Sequence, residues 1–245
     1  MSPRNWDTRV NSAETIARGA GFQELRARIV ELAGVQPGQE VVDLGAGTGL
    51  LTFAVAGNAS RVWAVDFSQA MCDYLAVKAK SAGLDNIEVV HASATNLPLV
   101  DASVDVVVSN YCLHELRDED KHLALAEVMR VLRPGGRFVF GDMMFSIEMR
   151  SGRDRELVAA KVRAIAARGL PGLWRLAKNA ARLAAGNWEH PVNAEWWRAA
   201  LANAGFREIE LQTLPHEGGI AAANAPAAGA TPGEAAQRPA APVGV

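Results

Sequence analysis

Apolar runs alternate with helix-like patterns along the first 142 residues. Residues 15–34 carry Ile16, Phe22, Leu25, Ile29 and Leu32 at roughly helical spacing, and Pro37-Gly38 then turns the chain. Residues 40–44 predict a first strand, 50–57 a helix and 61–66 a second strand. Residues 68–82 predict a helix, with Ser68 as its N-cap and Gly83 as its stop. Strands follow at 86–91 and 103–109. A helix at 118–132, ended by Pro134-Gly135-Gly136, leads to a fifth strand at 137–142. The run from Val104 to Val108 lacks clean alternation, as expected for a parallel strand covered on both faces. Strand and helix in repetition predict an α/β fold with a doubly wound, mostly parallel sheet.

The rhythm breaks after Asp142. Residues 145–187 predict a helical insertion with no strand signal. A helix at 194–205, a strand at 206–214, a turn and a weak final strand at 220–224 then complete seven strands, the last two as a hairpin. From Ala225 the chain is Ala, Pro and Gly with few large apolar groups. Such a tail cannot offset its ordering entropy and is expected to be disordered over 225–245. The organisation is therefore a polar segment at 1–14, one domain at 15–224 that contains the insertion, and a tail.

Bulk properties narrow the picture. A hydrophobic fraction of 49% and a net charge of −2 exclude global disorder and give no sign of a nucleic-acid partner. Cys72 and Cys112 form no Cys-x-x-Cys pair, so neither a metal site nor a disulfide framework is expected; Cys112 reads as a small buried residue. Residues 1–11 are polar, unlike a signal peptide, and no long apolar run offers a membrane span. A cytoplasmic protein is expected.

The candidate chemistry starts at Asp43-Leu44-Gly45-Ala46-Gly47-Thr48-Gly49, where a strand runs into a glycine-rich turn. A dinucleotide loop places its third glycine one step later, and the Lys-Ser/Thr end of a P-loop is missing. A carboxylate at the mouth of the loop suits a phosphate-free ligand with a cationic end. Asp66 closes the second strand, where a carboxylate can accept from both hydroxyls of a ribose. Ala92-Ser93-Ala94 follows the third strand and Asn110-Tyr111 the fourth. In an open α/β sheet these strand tips converge on one crevice.

These pieces, with Val65-Asp66-Phe67-Ser68, Met71, Asn96-Leu97-Pro98, the run from Val106 to Leu116 and Arg130-Val131-Leu132-Arg133-Pro134-Gly135-Gly136, resemble the class I S-adenosylmethionine-dependent methyltransferases. The likeness is to the small-molecule type related to quinone and lipid methyltransferases. It covers residues 15–142 strongly and 194–224 loosely. It implies a Rossmann-like fold and S-adenosyl-L-methionine as cofactor. It also implies that Gly45 and Gly47 line the methionine part and that Asp43 and Asn110 lie near it. Asp66 would take the ribose hydroxyls, Phe67 and Met71 flank the adenosine, and Ser93 and Ala94 sit by the adenine. Position 93 is often Asp in the family; Ser93 brings a hydroxyl without the charge.

The acceptor is less legible. His114, just after the fourth strand, could act as a general base, touch the substrate or pack, and Tyr111 has the same options. Trp188, Trp196 and Trp197 read chiefly as packing residues. Residues 150–187 carry nine Lys and Arg against two acidic residues, a charge of +7. Leu173, Leu176 and Leu183 share a helical face opposite Arg175, Lys178 and Arg182. Such a helix can be a lid over the acceptor pocket or contact an anionic membrane. The expected activity is methyl transfer to a small, apolar or lipid-like acceptor. The alternatives are a non-catalytic sensor of the same cofactor and an NAD-dependent oxidoreductase.

Overall fold

A computed structural model describes residues 6–17, 19–145, 152–167, 169–171, 174, 189–214 and 217–229. Its helices are α1 Val10–Ala17, α2 Ala20–Ala33, α3 Thr52–Val55, α4 Gln69–Ser81, α5 Asp118–Val131, α6 Gly152–Ala166 and α7 Ala194–Asn203. Its strands are β1 Glu40–Leu44, β2 Arg61–Asp66, β3 Ile87–His91, β4 Val104–Asn110, β5 Leu132–Met143, β6 Arg207–Thr213 and β7 Gly218–Asn224. One sheet holds them in the order β3-β2-β1-β4-β5-β7-β6. The first five are parallel, and β7 runs antiparallel to both its neighbours.

Alternation along the central strands feeds two cores. Val42, Leu44 and Val107 face the layer that holds α5 and α7, with Phe138, Phe140 and Trp197. Val41, Val106 and Val108 face α2 and α3, packing with Leu25, Ile29, Leu51 and Val55. Both sheet faces are thus covered, which is why Val104, Val106, Val107 and Val108 are all buried, while Asp105 accepts from Glu40 N and Arg133. Strand order reverses between β1 and β4, so the tips of these strands flank the crevice where such sheets bind ligands.

The structure corrects several expected boundaries. The first helix breaks at Gly19, and α1 begins at Val10, inside the segment expected to be merely polar. The short α3 covers only part of 50–57. β5 begins at Leu132, because Leu132 already pairs with Val104 before the register shifts around Pro134-Gly135-Gly136. The freed groups there pair with the chain beyond β7: Gly135 N–H donates to Pro226 O and Ala225 N–H to Gly136 O. Ala225 is consequently buried, so the expected disorder does not begin at that residue; residues 230–245 lie outside the described residues. The weak last strand is interior to the sheet. Its Gly-Gly-Ile-Ala-Ala-Ala run is buried throughout, small side chains fitting a strand covered on both faces.

Of the insertion, α6 is described, and Arg153 anchors it by donating to Met144 O (2.8 Å) and Leu214 O (3.1 Å). Arg175, Lys178, Arg182 and Trp188 lie outside the described residues. Trp197 is buried edge-on to Phe140, and Trp196 packs between Trp197 and His122. Among the described residues no helix is long and apolar enough to cross a membrane.

Candidate active site

The carboxyl ends of β1, β2 and β4, with the loop after β3, enclose a cavity of about 540 Å³. Asp43, Gly45, Gly47, Asp66, Phe67, Met71, Ser93, Ala94, Asn110, Tyr111 and His114 all line it. The parallel register puts Asp43 beside Ala64 and Val108, one step inside the tips. Asp43 is almost wholly buried and accepts from Thr52 Oγ1 at 2.6 Å. Burial pushes its carboxyl up to about 7, against the pull of the Thr52 hydroxyl and amide, and the nearby Asp66 charge adds to the rise.

The glycines of the loop have separate reasons. A Cβ on Gly45 would overlap the Cys112 side chain, so this glycine admits a protein neighbour. Gly47 has φ 53° and nothing within 4 Å of its would-be Cβ, so it leaves open space at the cavity wall. Cys112 itself is only part-buried, at the wall, where full burial was expected.

Asp66 Oδ2 accepts from Gly47 N (2.7 Å) and Oδ1 from Ser68 N (2.8 Å). It therefore holds the glycine loop to the start of α4, while each oxygen keeps a second lone pair. Burial raises its pKa, and these amides oppose the rise. Ser68 caps α4 by accepting from Met71 N, which sets the buried Met71 against the cavity. Phe67 is 63% exposed at the mouth. Ser93 Oγ is engaged with Thr95, whose hydroxyl lies at 2.8 Å and whose amide donates to it at 3.2 Å. Asn110 Oδ1 is buried and has no hydrogen-bond partner among the described residues, a condition that calls for a donor.

The opposite end is aromatic and acidic. Tyr111 takes φ 51°, rare for a bulky residue, while its N–H donates to Gly141 O. That turn stacks its ring on Phe22, centroids 4.5 Å apart. Burial, then Glu217 and Asp142, push its phenol up to about 12. His114 is buried, with Nδ1 2.6 Å from Asp142 Oδ1 and Nε2 3.6 Å from Glu115 Oε1. Its backbone N–H donates to Asp142 Oδ2 at 3.0 Å. Burial disfavours a charged ring, but Asp142 and then Glu115 outweigh it and raise the imidazole to about 10. Asp142 thus orients the ring through Nδ1 and leaves Nε2 toward Glu115.

Residues 41–136 match the family model described as a methyltransferase domain. Over this stretch the chain is similar to S-adenosylmethionine-dependent methyltransferases. Similar proteins include the demethylmenaquinone methyltransferase of Clavibacter sepedonicus, 40% identical over 114 residues, or 46% of this chain and 45% of that one. The ubiquinone/menaquinone biosynthesis C-methyltransferase UbiE of Vibrio vulnificus is 36% identical over 114 residues, 45% of this chain and 43% of its own. The matched part is thus less than half of each of these relatives. A crystal structure of a SAM-dependent methyltransferase from Aquifex aeolicus superposes with a TM-score of 0.61 at 19% identity, covering 89% of this chain and 98% of that one.

The site also uses residues that the sequence did not single out for it. Trp6 and Phe22 supply cavity walls from the N-terminal segment. Asp7 ties that segment down by accepting from Ser68 Oγ and, at 3.2 Å, from Ala70 N. Lys78 donates to Glu14 and to Thr48 O (3.0 Å), linking α1 and α4 to the glycine loop. Asp142, Glu115, Glu189 and Glu217 gather at the acidic end from four separate segments. The Tyr111 phenol faces Asp142 and Glu217 electrostatically, and no local motif announces that meeting.

Proposed function

We propose that this protein transfers a methyl group from S-adenosylmethionine to a small, apolar acceptor of the quinol type. The observation that carries the reading is the division of one cavity into two unlike ends. At the end that would hold the cofactor, the polar side chains offer acceptors: Asp43, Asp66 and the orphaned Asn110 Oδ1. A ligand with an ammonium, a sulfonium and ribose hydroxyls brings the matching donors and positive charge. Asp43 and Asn110 would face the amino-acid part, Asp66 the ribose, and Phe67 and Met71 the adenosine. Gly47 leaves room for close approach. When bound, the cofactor supplies an activated methyl group, and the chain's own work is positioning and exclusion of water.

At the other end, Phe22 stacked on Tyr111, with Leu116 and Met143, makes an apolar wall suited to a flat ring. The names of the two relatives support a quinone-type acceptor. The family match stops at residue 136, however, before Asp142, Glu189 and Glu217, so it speaks chiefly for the donor half. Titration calorimetry with S-adenosylmethionine and its demethylated product tests the donor half. The absence of binding heat, or equal binding by Asp66→Ala, would sink it. Mass spectrometry of demethylated quinols and lipid extracts incubated with methyl-labelled cofactor tests the acceptor half. A labelled product outside the quinol class would overturn the acceptor assignment.

A further inference from the structure

We propose that His114, Glu115 and Glu189 form a divalent-cation site at the acceptor end of the cavity, of a kind that takes a first-row ion such as Mn²⁺ or Zn²⁺. One ligand atom from each lies within 4.8 Å of the other two, and all three residues line the cavity. Two ligands bound to one such ion at about 2.1 Å lie roughly 3 Å apart, so modest rotamer changes bring the set onto an ion. His114 Nε2 and Glu115 Oε1 already stand 3.6 Å apart.

The second observation is how the imidazole is held. A metal-binding histidine commonly gives its other ring nitrogen to a carboxylate, which fixes the tautomer and the ring plane. Here Nδ1 is 2.6 Å from Asp142 Oδ1, and Asp142 is fully buried and also accepts the His114 backbone N–H. The ring is therefore pinned with Nε2 toward Glu115, and an ion bound there takes the place of the Nε2 proton, so its binding releases a proton. The main chain reinforces the approach of the third ligand, because His190 N–H donates to His114 O at 2.7 Å and places Glu189 alongside. Glu115 and Glu189 have other contacts as well, but a carboxylate offers about four lone-pair sites and can serve both. One imidazole with two carboxylates is a mixed N/O donor set, the choice of Mn²⁺, Fe²⁺ or Zn²⁺ over a soft-metal thiolate site.

Three protein ligands leave coordination positions open toward the cavity. An oxygen of the acceptor bound there would be polarised, and a hydroxyl would lose its proton more readily. This use of the ion rests on the methyl-transfer reading; the ion's binding does not.

The test uses the full chain without cofactor. Mn²⁺ is titrated with electron paramagnetic resonance of the free ion, and Zn²⁺ by calorimetry. One ion per chain is expected. Glu115→Gln and Glu189→Gln should each weaken it at least ~10-fold, and Asp142→Asn by ~10–100-fold. Melting curves of each variant exclude unfolding as the cause, and the two conservative Gln changes keep the test open if Asp142→Asn fails to fold. No bound ion at millimolar metal, or unchanged binding in both Gln variants, overturns the site. S-adenosylmethionine binding is read on the same samples. Its loss with metal binding intact would count against the proposed function and not against this site.

Discussion

Replacing Asp43 by Asn removes one buried charge and keeps an acceptor for the 2.6 Å bond from Thr52. In the free protein the Asp43 carboxyl titrates near 7, because it is almost wholly out of solvent. A bound ammonium or sulfonium favours the ionised form, so binding near neutrality should expel the proton that part of the population carries. If ionised Asp43 is the binding form, affinity for S-adenosylmethionine is level above about pH 8. It falls about tenfold for each unit below 7. Calorimetry in buffers of different ionisation enthalpy measures the released proton directly. Asp43→Asn should bind weakly at every pH, near the wild-type affinity at about pH 5–6, and release no proton. Stability should move the other way. The folded pKa is raised above the ordinary carboxylate value of 3.8, so the folded state holds a proton that the unfolded chain has lost between those values. The stability this proton brings is fully present below the unfolded pKa and is lost as pH rises through about 7. The loss amounts to about 4 kcal/mol as an upper value. Asp43→Asn should therefore melt higher than wild type at pH 8. A wild-type affinity flat from about pH 5.5 to 8, or an Asn variant that matches wild type at about pH 8, would refute the reasoning.

Four further outcomes are expected. Gly45→Ala should destabilise by about 1–3 kcal/mol through overlap with Cys112, a loss that Cys112→Gly relieves. Gly47→Ala should cost only about 1 kcal/mol, from its positive φ, yet abolish cofactor binding; chemical denaturation and calorimetry separate the two effects. Tyr111→Phe keeps the ring stacked on Phe22 and should retain kcat within about threefold; Tyr111→Ala should raise KM, and steady-state kinetics decide. If the +7 segment at 150–187 approaches an anionic membrane, changing Arg175, Lys178 and Arg182 to Glu should lower sedimentation with anionic vesicles; equal sedimentation removes the idea.

Much of this was legible in the chain because it is local. The valine-rich strands, the glycine turn and the Ser68 cap each follow from a few neighbouring residues, and the seven-strand fold is their sum. The parallel sheet then makes the strand tips coincide, so Asp43, Asp66, Ser93 and Asn110 could be assigned to one crevice before any coordinates. The purpose of individual glycines was not local. Only the approach of Cys112 distinguishes Gly45 from Gly47. The same holds for the ends of elements, where Pro226 and Ala225 pair with the Gly135-Gly136 excursion some 90 residues earlier in the chain.

The sequence by itself determined the sheet and its ligand edge, since strand periodicity and a strand–turn–helix motif act over short spans; the class of cofactor was implied by family resemblance. Only the tertiary structure decided the chemistry of the acceptor end. There His114 and Glu115 after β4, Asp142 on β5 and Glu189 before α7 meet across dozens of residues of intervening chain. Spacing cannot show such a cluster, and the burial and mutual field that act on His114 exist only once the elements pack.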